Sequence, residues 1–444
     1  MFSALSANKE IAHRMRCWNI VVPVWLTFLI STLMYLSVTV ILSVVNVGVL
    51  GVYSVYFSSA HMIVGMISLI VGNIGAGYVV RLKKSGDRER VPAARGRAIV
   101  LSLGASLVLS GLFIYFGSWV TSLFGNIDIP HKALFFCLLC AQLPPMAARR
   151  ALSSISSTEG APKLGLKASV VLLVAVLALL LGAYVSGLVG EYYFITLPSI
   201  FFLGETCVAV FHYVDVNRKF SIRFDTGFLV DTCRESLVLL RSGAISILEV
   251  VAAISCGFIF LKFLAEISET AFNVRNALFP LFSVVTALSS GWSQFNNRTF
   301  SSLMHRSGSV LMMRHKTNIS FALGDVCALS LVVFSVDWIY GARILQLPTT
   351  EIVLICIFGV VMCVIQCVNL INLVGLQLLN RVTYASVIAV CTNVATSGLM
   401  YALCRQWTAS QMAKVVLILV AMCLESYVRM ILNQRYLDGQ LKGK

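Results

Sequence analysis

Charged residues are scarce in this chain of 444 residues, because Asp, Glu, Lys and Arg together make up only 12% of it. Soluble domains carry about 25% charged residues, so half of the usual charge is missing. Nine prolines and thirty glycines are too few for a long flexible linker between domains. Hydrophobic residues make up 58%, and the mean hydropathy is +0.88. This composition excludes a soluble enzyme, a disordered protein and a nucleic-acid-binding protein.

Long apolar runs are what the sequence has in abundance. A helix that crosses a bilayer takes roughly 20 apolar residues. Backbone groups in hydrocarbon must be paired within the protein, which favours helices over open strands. We therefore predict an all-α polytopic membrane protein with twelve transmembrane helices. The predicted spans cover residues 18–42, 47–80, 98–123, 132–157, 165–187, 192–214, 236–262, 268–295, 317–338, 350–376, 383–404 and 412–434.

The basic residues alternate along these spans. The chain has 34 Lys and Arg and a formal net charge of +15. With the N-terminus inside, 28 of the 34, Arg149 among them, fall in cytoplasmic segments, five fall outside, and Arg275 lies within a span. This bias follows the positive-inside rule, and no signal-peptide cleavage site follows residues 1–17. We predict a bacterial cytoplasmic (inner) membrane protein with both termini cytoplasmic, whose basic segments face anionic lipid.

Short sequence matches recur about half a chain apart. Gly77-Tyr78 after span two matches Gly291-Trp292 at the end of span eight. The start of span five (ASVV, 168–171) matches that of span eleven (ASVI, 385–388) at nearly the same offset. The two matches indicate two pseudo-symmetric six-helix lobes, which would be parallel repeats because six is even. The predicted lobes cover residues 1–217 and 218–444.

Carboxyl groups inside the predicted spans are the clearest functional signal, because a charge at a helix centre costs about 2.5–3.5 kcal/mol on insertion scales. Glu249 lies near the middle of span seven, with no Lys, Arg or His within one helical turn. Such a carboxyl suits a proton carrier or a Na⁺ ligand, and a protonated carboxyl bonded to a neighbouring helix is the alternative. Both interpretations stay open for Glu205 in span six, Asp325 in span nine and Glu425 in span twelve.

Other polar groups are weaker candidates. Arg275, the one cation assigned to a span interior, fits a helix–helix ion pair or contact with an anionic substrate group. His61 in span two fits a packing histidine or a cavity residue. The thirteen cysteines act as small apolar residues, so we predict no metal site. With no nucleophile-elbow serine and no P-loop lysine, we predict neither an enzyme nor an ATP-driven pump, and no cofactor.

Three stretches resemble segments of the multidrug and toxic compound extrusion (MATE) family. GYVVRLKKSGDRERVPAARGRA (77–98) resembles the family's segment after helix two, and PPMAARRALSSISSTEGAPKLGL (144–166) resembles its helix-four stretch, which ends in Gly-x-Pro-Lys. SGAISILEV (242–250) resembles a run of the NorM-like branch and places Glu249 on that branch's cation-site glutamate. The family belongs to the multidrug/oligosaccharidyl-lipid/polysaccharide exporter (MOP) superfamily.

The resemblance implies a MATE-like fold and a secondary-active efflux transporter that exports small organic molecules by antiport with Na⁺ or H⁺. It implies alternating access between the two lobes, with cation coupling through Glu249 and Asp325. We expect a monomer that binds a small organic substrate within the lipid bilayer. The residues assigned to the substrate cavity are Glu205, Arg275, Asn369, Asn372 and His61.

The sequence also departs from the family's pattern. Family members commonly carry an Asp in helix one, where this chain has Val38. Span ten offers Asn369 and Asn372 where family members often have another Asp, while Pro23 matches a bend point of some members. A flippase for a lipid-linked oligosaccharide, from the same superfamily, is the alternative function. An integral-membrane transferase is a remote alternative, because the predicted outer loops are short.

Overall fold

The structure is a computed structural model of the chain. It describes isolated positions between 29 and 83 together with the continuous ranges 17–27, 86–123, 131–188, 192–224, 248–249, 252–253, 255–303, 306–344, 346–379, 381–406 and 410–443. All regular elements within these ranges are helices. We label them α1 Cys17–Thr27, α2 Val91–Leu123, α3 Lys132–Ala141, α4 Leu143–Thr158, α5 Pro162–Val185, α6 Tyr193–Phe220, α7 255–267, α8 Glu269–Leu303, α9 Gly308–Ile339, α10 Thr349–Leu378, α11 Val382–Gln406 and α12 Gln411–Lys442.

Seven of the described helices are long and apolar enough to cross a membrane by length and composition. They correspond to α2, α5, α6, α9, α10, α11 and α12. The all-helical fold class predicted from hydropathy is therefore confirmed. Helix starts also recur about half a chain apart in three pairs, which are α2 with α9, α5 with α11, and α6 with α12.

The predicted fourth span is two helices rather than one. α3 ends at Ala141 and α4 begins at Leu143, with Gln142 between them. Pro144 and Pro145 occupy the first turn of α4, where neither can donate a backbone hydrogen bond to the preceding turn. Proline favours the first turn of a helix and disrupts the hydrogen bonds of a preceding turn, so the pair ends α3 and starts α4.

A tight turn joins α4 to α5. Gly160 has φ +89°, a left-handed conformation that favours glycine, and its N–H donates to the carbonyl of Ser157. The Ala161 N–H donates to the Ser156 carbonyl at 2.7 Å, and Pro162 then begins α5. The Gly-Ala-Pro-Lys stretch noted in the sequence is thus the connection between two consecutive helices.

The chain divides into two compact units. The N-terminal unit takes residues from 33–250, and the C-terminal unit takes residues from 1–32 and 251–444. The C-terminal unit includes α1, because Cys17 and Val21 belong to the same apolar core as Trp292. This grouping differs from the boundary between 217 and 218 predicted from the sequence, which placed the first helix in the N-terminal lobe.

Two contacts hold α1 within the C-terminal unit. The Trp25 indole Nε1 donates to the Val284 carbonyl of α8 at 3.1 Å. Gly291 of α8 lies so close to α1 that a Cβ there would meet the Val21 carbonyl oxygen at 2.9 Å. Pro23 lies within the continuous helix Cys17–Thr27, and its carbonyl accepts the Thr27 hydroxyl at 2.7 Å. α1 is therefore fixed on α8 by close backbone packing.

Candidate functional site

The two carboxyls predicted to couple cation movement belong to different units. Glu249 is helical and half-buried near the end of the N-terminal unit's range. Asp325 is half-buried in the middle of α9, where its carboxyl interacts electrostatically with the Cys367 thiol of α10. Across the described ranges, no group of three or more His, Cys, Asp and Glu side chains is placed to hold a metal ion. The coupling role of both carboxyls stays a prediction.

Glu205 is held by an arginine inside the N-terminal unit. The Arg149 guanidinium of α4 donates to both carboxylate oxygens, with Nε–Oε2 at 2.7 Å and Nη2–Oε1 at 2.9 Å. Both residues are almost fully buried, and Ser169 of α5 lies 3.5 Å from Nη1. A bidentate pair of this kind fixes two helices in one geometry. Arg149 therefore joins three helices, and its treatment as an orientation signal missed this role.

A histidine lies about two turns beyond this pair on the same helices. His212 of α6 is fully buried, and its Nε2 lies 3.3 Å from the Ser153 hydroxyl of α4. Ser153 is one turn after Arg149 on α4, so the polar contacts between α4 and α6 form a continuous row. No sequence signal predicts this row, because Ser and His in an apolar helix have no fixed partner spacing.

A second buried carboxylate lies at the C-terminal end of α4. The Glu159 Oε1 accepts Arg95 Nη2 at 2.7 Å and Lys83 Nζ at 2.8 Å. Arg95 in turn donates to the carbonyls of Phe220 and Ser221, the latter at 2.9 Å. These carbonyls end α6, so one arginine ties α2, α4 and the C-terminal end of α6 together.

The C-terminal unit buries a chain of uncharged polar side chains. Asn318 Nδ2 donates to Asn296 Oδ1 at 3.0 Å, and Asn296 Nδ2 lies 3.4 Å from His315 Nδ1. His315 Nε2 lies 2.9 Å from Asn372 Oδ1. All four residues are fully buried. With a proton on Nε2, His315 donates to Asn372 and accepts from Asn296, which satisfies both ring nitrogens without charge.

The predicted cavity residues of span ten belong to this polar interior. Asn372 is the end of the His315 chain, and Asn369 Oδ1 accepts Asn433 Nδ2 of α12 at 3.1 Å. Glu425, also on α12, accepts the Thr392 and Ser426 hydroxyls at 2.9 Å each. Asn369 and Asn372 thus link helices within one unit, and their assignment to a substrate cavity stays a prediction.

The remaining predicted residues have less structural description. Arg275 is half-buried on α8. His61 and Val38 lie outside the described residues. The prediction that Arg275 is the only cation inside a span is wrong for the described helices. The Arg149 guanidinium is also buried within the predicted fourth span, against Glu205.

A buried carboxyl that sequence reasoning did not select lies at the end of α9. Asp337 has no solvent exposure, and neither of its carboxyl oxygens has a hydrogen-bond partner within the described part of the chain. Asp337 is the second-last residue of the predicted ninth span, 317–338. Its spacing from Ser330 and Val333, by two turns and one turn of helix, is the signal that places it on the buried face.

Solved structures cover nearly the whole of this chain. A multidrug resistance MATE family transporter of the MOP superfamily, in an outward-facing conformation, matches with a TM-score of 0.73 and 13% identity over 96% of both chains. The chain has the MATE fold. A MATE in complex with Br-NRF matches with a TM-score of 0.66 and 15% identity, over 96% of both chains. These structural neighbours are transporters and not enzymes.

A third MATE-fold relative comes from Pyrococcus furiosus. This MOP superfamily transporter matches with a TM-score of 0.71 and 14% identity over 96% of this chain and 95% of its own. Its binding pocket is described as having a reverse polarity that suggests a different function. No protein-family profile matches the chain, and no curated protein matches it by sequence. The MATE fold is therefore found here at 13–15% sequence identity to these three structures.

Proposed function

We propose that this protein is a secondary-active efflux transporter that exports small organic molecules by antiport with Na⁺ or H⁺. The observation that carries the proposal is the two-way match of 96% with a multidrug resistance transporter of the MATE fold. The match covers nearly the whole of both chains, so it is not confined to one part of the fold. The predicted location, in a bacterial cytoplasmic membrane with both termini inside, belongs to the same proposal.

Half-buried carboxyls in both units support cation coupling. Glu249 and Asp325 are each half-buried, and the residues next to each of them in sequence are mostly apolar. A carboxyl in such a place changes charge when it binds or releases a cation, and the change favours one conformation over another. We propose that Glu249 carries the coupling cation, with Asp325 as the second carboxyl.

The flippase alternative has less support. A lipid-linked oligosaccharide carries phosphate, which arginine and lysine side chains bind. Two of the buried arginines are already committed, because Arg149 is paired with Glu205 and Arg95 with Glu159. A drug or metabolite exporter requires no such cationic surface.

A growth assay in efflux-deficient bacteria tests the proposal. We expect the wild-type chain to raise resistance to one or more dyes or drugs, and Glu249→Gln to abolish that resistance while the protein still inserts. The matched control is Glu266→Gln, because Glu266 is exposed on α7 and only 3.9 Å from Lys262. Full resistance in Glu249→Gln would remove this carboxyl from the coupling site. No resistance to any compound, at equal membrane levels, would contradict broad drug efflux.

A further inference from the structure

Helix α9 carries polar side chains along its buried face. Its core-facing positions include His315, Asn318, Ser330 and Asp337, separated by apolar residues such as Val326. At about 1.5 Å per residue, the distance from His315 to Asp337 is roughly 33 Å, the thickness of a hydrocarbon core. His315 and Asn318 are bonded within the amide chain, and Asp337 is at the far end. One buried helical face therefore has polar groups at both ends.

Apolar side chains surround Asp337. Val333, one turn earlier, belongs to the same core as Leu278 of α8 and Ile352 of α10. Gly341, one turn later, lies close to Ile352 and Leu278, so the helix positions on both sides of Asp337 face the same apolar core. The backbone carbonyl of Asp337 accepts the Tyr340 N–H, while its carboxyl oxygens have no such partner in the described part of the chain.

Among the described residues, the titratable groups near Asp337 offer it no paired countercharge. Cys356 faces it from α10 and interacts with it electrostatically. On α8, Arg275 lies one turn before Leu278, and on the chain that follows α9 the Arg343 side chain is exposed. Neither arginine forms an ion pair with Asp337 among the described contacts. With respect to the described residues, an ionised carboxylate in this position would have neither solvent contact nor a hydrogen-bond donor.

A buried carboxyl of this kind has few favourable states of protonation or cation binding. A carboxylate without partners in an apolar interior takes up a proton rather than remain charged. Sodium and other hard cations need several oxygen ligands, and the described side chains named around Asp337 (Val333, Leu278, Ile352 and Cys356) supply none. The bound cation that this environment accepts is therefore a proton.

We propose that Asp337 is a proton-binding site of the C-terminal unit, and that its proton couples cargo export to the proton gradient. In the conformation described here, the carboxyl is closed from solvent and protonated. Opening of this end of α9 to water would let the proton leave and the carboxylate form. The coupling role rests on the proposed exporter function, whereas proton binding does not.

Infrared spectroscopy of the purified protein tests proton binding without any cargo. The wild-type protein at neutral pH should show the carbonyl-stretch band of a protonated carboxyl, and Asp337→Asn should lose that band. Asparagine has the shape of the protonated acid, so a monodisperse, folded variant is expected. The matched control is Glu351→Gln, because Glu351 is half-exposed in the first turn of α10. This control should keep the band.

Two results would overturn the assignment. A wild-type spectrum without the band would mean that Asp337 is ionised, and a band that keeps its full intensity in Asp337→Asn would belong to other carboxyls. If Asp337→Asn does not fold, Asp337→Glu keeps the carboxyl and should keep the band at a shifted position. An unshifted band in that variant would equally contradict the assignment.

Transport in proteoliposomes tests coupling, with ethidium as the probe. A pH gradient should drive ethidium accumulation by the wild type, while Asp337→Asn should lose accumulation and keep ethidium exchange at equal concentrations. Accumulation by Asp337→Asn at the wild-type rate would overturn the coupling role. Failure of the wild type to move ethidium or any resistance-panel compound would overturn both the exporter proposal and the coupling role. The infrared band would then still decide whether Asp337 binds a proton.

Discussion

The two units bury polar side chains in opposite ways. The N-terminal unit uses charge: Arg149 and Glu205 form a bidentate pair, with contacts of 2.7 Å and 2.9 Å. The C-terminal unit, which also buries Glu425 and Asp337, has a neutral polar chain in which His315 is bonded to asparagines. A buried ion pair depends on both partners, because either one alone is an uncompensated charge. A neutral chain loses hydrogen bonds one at a time, so the two units should respond differently to substitution.

Glu205 and Glu425 show the same contrast at related positions. Glu205 lies near the middle of α6 and Glu425 near the middle of α12, about half a chain apart in sequence. Glu205 takes a guanidinium from another helix. Glu425 takes two hydroxyls and lies 3.6 Å from Arg429 of its own helix. Two carboxyls at comparable helix positions are therefore held in different ways, and the Glu205 carboxylate is held by a charged group of another helix.

The largest effect should come from breaking the N-terminal ion pair. We expect Glu205→Ala to reduce the free energy of unfolding by about 3–5 kcal/mol, because Arg149 would stay buried without a counterion. Thermal unfolding of the purified protein in detergent measures this. The double variant Arg149→Met with Glu205→Leu removes both charges and should recover most of the loss. A double variant no more stable than Glu205→Ala would show that packing, and not charge, holds this site.

A smaller effect is expected in the neutral chain of the C-terminal unit. Asn372→Leu should cost about 1–3 kcal/mol of unfolding free energy, because the His315 Nε2–H loses its acceptor while no charge is left unpaired. The same unfolding assay applies. The double variant Asn369→Leu with Asn433→Leu removes both partners of another amide pair and should be closer to neutral. If Asn372→Leu destabilises as strongly as Glu205→Ala, the contrast between the units is wrong.

The smallest effect should come from an ion pair at the surface of the N-terminal unit. Lys167 Nζ lies 2.7 Å from Asp215 Oδ2, and the Lys167 side chain is 56% exposed. Lys167→Met should change the unfolding free energy by at most about 1 kcal/mol, and the change should shrink as salt is added. A loss near that of Glu205→Ala would mean that distance alone, and not burial, sets the value of an ion pair here.

Hydropathy was sufficient to predict the fold class, because a membrane helix is specified by a local run of apolar residues. The all-helical architecture and the family resemblance are both reflected in the match to MATE-fold structures. The break at Gln142 was also encoded locally, in Pro144 and Pro145, although the sequence analysis treated that span as continuous.

The hydrogen-bond and ion-pair partners of the buried polar side chains could not be predicted in the same way. Glu205 was selected as a polar residue in a span, but its partner Arg149 lies far away in sequence on another helix. His315 lies outside the predicted ninth span and was not predicted as a site residue. α9 begins at Gly308, however, and buries His315. Which side chains meet depends on how helices are rotated against each other, and hydropathy carries little information about rotation.

The contacts of Arg95 have a consequence for the order in which the protein is made. Its partners Glu159, Phe220 and Ser221, like the Arg149–Glu205 pair, all belong to the first half of the chain. A growing chain can therefore neutralise these charges while the second half is still unsynthesised. α1 is made well before α8, yet its Trp25 indole donates to the Val284 carbonyl, which is translated only in the second half. α1 thus reaches its packed position only after α8 has been made.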